Sequence, residues 1–268
     1  MVLTTTPPKR PRRPRHRMQT IFAQVARTAR ITPHMARITF RSPEFAGFIT
    51  PFPDQFVTAL FPLPGQTRPV IVPGFTWTEY FAMPEDVRPV ARNYTVRRYR
   101  SERAEIDIDF VLHGDIGFGT RWAARAQPGD QVGFWGPRVA YNPAPSVEWQ
   151  LLIGDETGLP AIGAILEALP PGARATVIVE VASAAGEQFL PSAGDVAITW
   201  LHRDDTPAGA SRQLLGAVER VTFPDGPVYA WGGGEMELMT AFGKHLRRDR
   251  GLKTAAISAV GYWRRDQT

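Results

Sequence analysis

The sequence predicts an α+β protein of two domains, in which an antiparallel Greek-key β-barrel is followed by an α/β domain with a parallel sheet. Two observations carry this prediction. From Met18 to about Ala140, short segments alternate apolar and polar residues with a period of two and are separated by Pro and Gly turns, as antiparallel strands are. After Trp149, strands that are apolar on both faces alternate with helical segments, as a buried parallel sheet requires.

The elements follow in order from these patterns. The barrel strands are predicted in "TIFAQVART", "HMARITFR", "QFVTALF", "VARNYTVRRY", "EIDIDFVLH" and "QVGFWG", with one short helix, "GTRWAARA". The α/β domain is predicted from the strands "WQLLIG", "RATVIVEVA", "VAITWLH", "PVYAW" and "AAISAVGYW", with helices in "GLPAIGAILEAL", "SRQLLGAVERV" and "EMELMTAFGKHLRRDRG". We place the barrel domain at residues 18–144 and the α/β domain at residues 145–268.

A basic tail, residues 1–17, precedes both domains. Its segment "PPKRPRRPRHR" holds six of the 31 basic residues of the chain and no acidic one, so the rest of the chain is nearly neutral. With few apolar residues to bury, the tail is expected to be disordered. It is interpreted as a solvated extension, and the alternative is contact with anionic lipid or nucleic acid.

Composition excludes several kinds of chemistry. The chain has no cysteine, so it can form no disulfide, thiolate-bound iron–sulfur cluster or thiol nucleophile. The five histidines show no paired metal-ligand spacing, and no protein-bound metal is predicted. The apolar runs fall far short of the roughly 20 residues that cross a bilayer. We expect a cytoplasmic protein, and any redox chemistry must use a bound organic cofactor.

The run "ARNYTVRRYR" carries more charge than a barrel strand needs. A flavin would explain these residue types. Arg92 would neutralise the diphosphate of FAD, Tyr94 would stack on a flat ring, and Thr95 would offer a hydroxyl or N–H to the flavin edge. The alternative is a solvated strand whose arginines pair across the sheet with Asp107 and Asp109.

The run "RNYTVR" resembles the Arg-x-Tyr-Thr/Ser run of the ferredoxin reductase-like flavoproteins. The segments "DIDFVLHG", "RWAARAQPGDQVGFWGPR", "LLIGDETGLPAI" and "HLRRDRGL…AISAVGYWRR" resemble the siderophore-interacting protein family, the FAD-dependent ferric-chelate reductases. The resemblance runs from about Gln19 to Arg265. It implies a barrel that binds FAD, an α/β domain facing the flavin, and reduction of Fe(III) in a siderophore to Fe(II). The electron donor would be NADPH, NADH or reduced ferredoxin.

The resemblance also implies the cofactor-binding residues. In "GFGTRWA" the chemistry agrees, because a helix start with glycines offers free N–H groups to a diphosphate. Phe118 departs there from the usual family pattern, Gly-Pro-Ala-Ser. We assign to FAD, without naming a catalytic residue, Arg92, Tyr94, Thr95, Val96, Arg97, Val111, His113, Gly114, Gly117, Gly119, Thr120, Asp155, Thr157 and Trp263.

Four signals in the second domain have simpler alternatives. "GDETGLP" lies between a strand and a helix, so Asp155 and Thr157 should lie at the carboxyl end of the sheet, where ligands bind. An N-cap box for the helix would also explain these residue types. "WGGGEMELM" resembles the Gly-rich turn that faces nicotinamide in related enzymes, and a tight turn explains it as well. Arg203 is a candidate partner for an NADPH 2′-phosphate or a solvated residue, and Trp263 borders the flavin or fills a core.

An anionic ferric siderophore favours an open basic rim near the flavin. Family members commonly place a lysine where this chain has Thr58, which removes one basic contact. Arg121, Arg247 and Arg248 remain as substrate-binding candidates, and solvation on helix surfaces is their alternative.

Two other functions stay open. One is a non-redox module that binds an anionic polymer, although the chain lacks the aromatic-basic interleaving of a nucleic-acid surface outside "NYTVRRYR". The other is an NAD(P)H-dependent flavin reductase of another acceptor. We expect a monomer, no specific nucleic-acid partner and ferredoxin as a conceivable partner, and the sequence does not name the siderophore.

Overall fold

A computed structural model describes residues 18–48, 52–71, 75–112 and 117–265 of the chain. The basic tail therefore lies outside the described residues. The first sheet contains seven strands with the order β4-β3-β7-β1-β2-β6-β5. Their bounds are β1 (Gln19–Thr32), β2 (Met35–Arg41), β3 (Gln55–Phe61), β4 (Val90–Thr95), β5 (Arg98–Arg100), β6 (Glu105–Val111) and β7 (Gln131–Val139).

The predicted single strand "VARNYTVRRY" is broken into β4 and β5, which are the two edges of this antiparallel sheet. Only Val96 and Arg97 separate them. The N–H of Val96 donates to the carbonyl of Gln55 on β3 at 2.7 Å, and the N–H of Arg97 donates to that of Asp107 on β6 at 2.9 Å. The sheet therefore curves until its edges meet, and the charged run forms the seam of the barrel. The predicted fold class is confirmed for this domain.

The described part of the barrel domain contains three helices, α1 (Phe45–Phe48), α2 (Trp77–Ala82) and α3 (Phe118–Arg125). Helix α3 is the predicted one. Helices α1 and α2 were not predicted. Thr76 caps the start of α2, because its hydroxyl accepts the Glu79 N–H at 3.2 Å and donates to the Glu79 carboxylate at 3.0 Å.

Arginines from neighbouring strands neutralise the carboxylates of β6. Glu105 is fully buried and accepts from Arg27 at 2.9 Å and from Arg41 at 2.6 Å. Arg37 binds Asp109 with two hydrogen bonds of 2.7 and 2.8 Å. These pairs form one arginine–carboxylate ladder on the barrel.

Within the described residues the second sheet has five strands, which are parallel as predicted, and their order is β10-β9-β8-β11-β12. Strand β10 departs from the prediction, because it is an edge strand with alternating exposure and is not apolar on both faces. The bounds are β8 (Trp149–Gly154), α4 (Leu159–Glu167), β9 (Arg174–Val181), β10 (Asp195–His202), α5 (Gln213–Glu219), β11 (Val228–Glu235), α6 (Met236–Arg248) and β12 (Ile257–Trp263).

No helix in the described residues is long and apolar enough to cross a membrane.

The glycine triplet of "WGGGEMELM" lies inside β11 and not in a turn, which corrects the prediction. The helix α6 follows the strand directly. A Cβ added at Gly158 would lie 2.2 Å from the carbonyl oxygen of Gly233, and one at Gly154 would lie 2.8 Å from the same atom. The glycines therefore serve close packing of the loop before α4 against β11.

A buried carboxylate joins the two domains. Asp54 precedes β3 and has 0% of its surface exposed. It accepts hydrogen bonds from the Tyr141 N–H at 2.8 Å, the Trp231 indole N–H at 3.1 Å and the Tyr262 hydroxyl at 3.5 Å. Burial raises the pKa of Asp54 to about 7. Because Trp231 and Tyr262 belong to β11 and β12, this carboxylate fixes the parallel sheet against the barrel.

Candidate functional site

A cavity of about 460 Å³ lies between the barrel and the carboxyl end of the parallel sheet. Ligands bind at this end of open α/β sheets. Strands β4 and β6 and helix α3 form its barrel side, and the loop before α4 and the end of β12 form the other side. Most of the residues predicted to contact the cofactor line it, namely Arg92, Tyr94, Thr95, Val111, Gly117, Gly119, Thr120, Thr157 and Trp263.

On β4, Arg92 is exposed at the cavity and forms no ion pair with any other described residue. Among the described residues, its guanidinium hydrogen-bonds only to the adjacent carbonyl of Ala91, at 2.8 Å. Asp107 is bound instead by Arg100, at 2.5 and 2.7 Å, and Asp109 by Arg37. Cross-strand pairing therefore explains Arg100 but not Arg92, whose guanidinium is available to an anion.

Tyr94 packs its ring on Phe110 at 4.4 Å, and burial raises the pKa of its hydroxyl above the usual value. The hydroxyl lies against the first turn of α3, where a Cβ added at Gly119 would be 2.1 Å away. Glycine at this position therefore lets the helix start approach β4. Phe118 packs on Phe61 at 5.8 Å, and α3 begins at this residue.

The N–H groups in the first turn of a helix lack intrahelical acceptors and favour an anion. Residues 117–120 bring such a turn to the cavity, on the same wall as Arg92. The Thr120 hydroxyl donates to the Val111 carbonyl at 3.0 Å and so anchors α3 to β6. That this hydroxyl caps a diphosphate stays a prediction.

Val96 and Arg97 do not line the cavity. Val96 is buried in the barrel core. Arg97 has 6% of its surface exposed and forms an ion pair of 2.7 Å with Glu167 of α4. A Cβ added at Gly163 of α4 would lie 2.9 Å from the Arg97 guanidinium, so glycine makes room for it. This placement favours a structural role between the domains over contact with the cofactor.

Replacing Arg97 by alanine is accordingly expected to leave FAD affinity within about twofold. It should lower the free energy of unfolding by about 1–3 kcal/mol, because Glu167 loses its hydrogen-bonding cation. Urea unfolding and FAD titration of the same variant check both values. A selective loss of FAD affinity would return Arg97 to the cofactor site.

Asp155 holds residues of the cavity wall in place by hydrogen bonds. Its carboxylate accepts the Thr157 N–H and the Trp263 indole N–H, both at 2.8 Å, and the Glu235 N–H at 3.0 Å. It does not itself line the cavity, whereas Thr157 and Trp263 do. Helix α4 has Gly158 at its N-cap and no side-chain capping bond, so the N-cap box is not formed. The Asp155 carboxylate instead positions Thr157 and Trp263, which do line the cavity.

Arg203 forms an ion pair of 2.5 Å with Glu156, which is buried beside it. Burial raises the pKa of Glu156, although the charge of Arg203 opposes the shift. The guanidinium is thus engaged by a carboxylate, and binding a 2′-phosphate would require breaking that pair.

The predicted substrate residues are not brought together. Arg121 is on α3 and borders a second cavity with the 62–67 segment and Arg125. Helix α6 starts at the carboxyl end of β11 and runs back for 13 residues, about 20 Å. Arg247 and Arg248 in its last turn therefore lie at the opposite edge of the sheet from the main cavity, which contradicts a common rim with Arg121. His113 and Gly114 lie outside the described residues.

A basic residue that the sequence analysis did not single out lies beside this cavity. The Arg138 guanidinium donates to the Thr58 hydroxyl and, at 2.9 Å, to the Asn93 side-chain oxygen. It stacks over Phe56 at 4.7 Å and Trp135 at 5.0 Å. Its buried Nε has no partner among the described residues, and burial lowers its pKa. Strand β7 thus supplies a cation next to Thr58.

Within the described part of the chain, no group of three or more His, Asp or Glu side chains is arranged to hold a metal ion. The absence of a resident metal stays a prediction.

Two family models match the chain. One is described as the siderophore-interacting FAD-binding domain and matches residues 24–141, and the other is described as siderophore-interacting protein and matches residues 147–266. The chain belongs to the siderophore-interacting protein family. Within this family it is 33% identical over 240 residues to the ferric vibriobactin reductase ViuB of Vibrio cholerae, covering 88% of this chain and 86% of ViuB.

Two further similarities span nearly the whole of this siderophore-interacting protein. The NADPH-dependent ferric-chelate reductase of Escherichia coli is 28% identical over 259 residues, which are 96% of this chain and 97% of that protein. The crystal structure of a siderophore utilization protein from T. fusca superimposes with a TM-score of 0.81 at 35% identity, covering 94% of this chain and 95% of that one. The two-domain architecture is therefore that of a solved relative.

Proposed function

We propose that the protein binds FAD in the interdomain cavity and uses it to reduce Fe(III) held in a siderophore to Fe(II), so that the metal is released. One observation carries the proposal. The Arg-x-Tyr-Thr run of β4 and the start of α3 line the same cavity, which opens towards the carboxyl end of the parallel sheet. The names of the similar reductases agree with this chemistry.

The residues present fit the cofactor. Arg92 has no carboxylate partner among the described residues, and the close approach of Gly119 to Tyr94 leaves a helix start facing the same space. Arg92 and the N–H groups of that turn would hold the diphosphate. Tyr94 and Thr95 would contact the ring system, with Thr157 and Trp263 on the opposite wall.

Bound FAD would supply the chemistry that side chains lack, because it accepts two electrons from a donor and passes them on singly to iron. The protein orients the cofactor and keeps both domains in contact around it. The donor is NADPH, NADH or reduced ferredoxin. We infer that Arg203 is not the contact for a 2′-phosphate, since Glu156 holds it at 2.5 Å.

The acceptor side is cationic. Arg264 lines the cavity, and Arg138 lies beside it on Thr58. Neither forms an ion pair with another described residue. Cations without carboxylate partners would attract an anionic ferric chelate.

Replacing Arg138 by alanine is expected to raise the KM for an anionic ferric chelate a few-fold and to leave kcat nearly unchanged. A partly exposed charge contributes about 0.2–1 kcal/mol, and the loss should shrink as salt screens the same charge in the wild type. Steady-state kinetics at low and high salt measure this. The matched control is Arg248→Ala at the far edge of the sheet, and an equal rise in KM for both variants would contradict the assignment.

The function is tested by loading the purified protein with FAD, desalting it, and recording the flavin absorbance near 450 nm, a wavelength set by the cofactor. Oxidation of NADPH, NADH and reduced ferredoxin is then measured with a panel of ferric siderophores. A protein that retains no flavin overturns the proposal. Oxidation of NAD(P)H with a quinone or dye but with no ferric chelate would favour a flavin reductase of another acceptor.

A further inference from the structure

We propose that the hydroxyls of Thr95 and Tyr262 and the carboxylate of Asp54 form a relay that removes the proton left at the flavin edge when electrons pass to iron. The inference rests on the proposed function, because it supplies a proton acceptor for the same reaction. It gives a role in that reaction to a buried carboxylate that does not line the cavity.

The proposed reaction leaves one proton behind for each hydride that the donor delivers. Hydride transfer brings two electrons and one hydrogen nucleus to the cofactor. Two Fe(III) ions then take one electron each, and the hydrogen nucleus stays at the ring as one proton. Reoxidation is complete only when a base has taken this proton. With a donor that supplies electrons alone, the same relay would carry the proton in the opposite direction.

Tyr262 lies between the cavity and the buried carboxylate. Thr95 of β4 and Tyr262 of β12 both line the main cavity, and both also line a smaller cavity of about 70 Å³, which has room for water. The Tyr262 hydroxyl lies 3.5 Å from Oδ1 of Asp54. Burial raises the pKa of Tyr262, and a hydrogen bond with the Thr95 side chain opposes the shift. Tyr262 therefore stays a neutral hydroxyl, which can accept one proton while it donates another.

The hydrogen bonds of Asp54 direct a proton to the oxygen that faces this route. Oδ2 accepts the Tyr141 N–H at 2.8 Å and the Trp231 indole N–H at 3.1 Å, whereas the Tyr262 hydroxyl meets Oδ1. Because Oδ2 already accepts two N–H groups, a proton on this carboxyl is favoured on Oδ1. A proton arriving there from Tyr262 is replaced on the tyrosine by one from the side of Thr95.

The surroundings of Asp54 leave its charge free to change. Among the described residues Asp54 forms no ion pair, so no cation holds it ionised. The other ionisable groups near the relay are Tyr141, beside Asp54, and Asp155, whose charge adds to the rise in the pKa of Tyr262 that burial causes. Burial raises the pKa of Asp54 to about 7, so this carboxyl can take up and release a proton near neutral pH.

The test measures proton exchange at the flavin and needs no turnover. The protein is loaded with FAD that carries ¹⁵N at N5 and is reduced with dithionite, and exchange of the N5 hydrogen with water is followed by NMR. Tyr262→Phe and Thr95→Val each remove one hydroxyl and nearly keep the shape of the side chain. Each should slow the exchange at least about 10-fold, since a positioned proton-transfer group contributes about 10²–10⁴-fold. Thr95→Ser, which keeps the hydroxyl, should exchange at nearly the wild-type rate.

The pH profile of the same exchange identifies the acceptor. In the wild type the rate should rise as the pH approaches about 7 and level off above it, because Asp54 accepts a proton only in its ionised form. Asp54→Asn should exchange more slowly and lack this step. A step that persists in Asp54→Asn would overturn the assignment of Asp54 as the acceptor.

Tyr141→Phe is the control, because it removes a buried hydroxyl from the same interface that binds Gln150 at 2.7 Å and lines neither cavity. Its exchange rate should match that of the wild type. Unchanged exchange in both Tyr262→Phe and Thr95→Val would overturn the relay, as would an equal loss in Tyr141→Phe. A wild type whose exchange depends on these hydroxyls but that reduces no ferric chelate would refute the proposed acceptor and leave the relay standing.

Discussion

Replacing Arg92 by alanine is expected to weaken FAD binding about 10- to 150-fold. The guanidinium is exposed at the cavity, has no carboxylate partner among the described residues, and lies on the same wall as the start of α3. Charge-assisted hydrogen bonds to a diphosphate contribute about 1.5–3 kcal/mol, which sets the size of the effect. Titration of the apoprotein with FAD, followed by flavin fluorescence, measures it.

Arg98→Ala is the matched control, because Arg98 is also exposed and lies in the same run but pairs with Glu167 at 3.2 Å. Its FAD affinity should stay close to that of the wild type. An Arg92→Ala variant with unchanged affinity would show that this arginine is only solvated.

Replacing Asp54 by asparagine is expected to remove much of the pH dependence of stability. Burial raises the pKa of Asp54 from 3.8 to about 7, so between these values the folded protein holds a proton that the unfolded chain releases. The free energy of unfolding of the wild type therefore falls as the pH rises from about 4 to about 7, and this contribution is constant above that range.

Between pH 5 and pH 8 the wild type should lose about 2–3 kcal/mol more stability than Asp54→Asn does. Urea unfolding of both proteins at the two pH values gives this difference directly, and the other titrating groups cancel in the comparison. Identical slopes would mean that Asp54 stays ionised throughout. A lower stability of the variant at both pH values would reflect the amide donors that asparagine brings towards Trp231 and Tyr141, and it would leave the slopes comparable.

Local patterns predicted the elements well because each strand and helix is amphipathic or apolar in its own sequence. The period-2 segments became β1 to β7, and the helix at "GTRWAARA" became α3. Arg92 and Tyr94 were also expected on the same face of one strand, and both line the cavity. This was predictable because the alternation of side chains along a strand can be read from a few consecutive residues.

Contacts between distant segments were not predictable in this way. Arg97 looked like its neighbours in the run, but its partner Glu167 comes from the other domain. Arg247 and Arg248 were chosen for their charge, and the direction of α6 carries them away from the site. Arg138 was not predicted to lie at the site, because its contacts with Thr58 and Asn93 arise only when the strands pair.

The arginine–carboxylate ladder on β6 has a kinetic consequence. Because Glu105 and Asp109 are neutralised at close range, that part of the barrel contributes little to the field that a diffusing molecule meets. Arg138 and Arg264, which have no carboxylate partners among the described residues and are not assigned to the diphosphate, leave the positive potential concentrated around the cavity. Anionic chelates should thus be steered to one side of the molecule, with an association rate that falls steeply with ionic strength while the dissociation rate changes little.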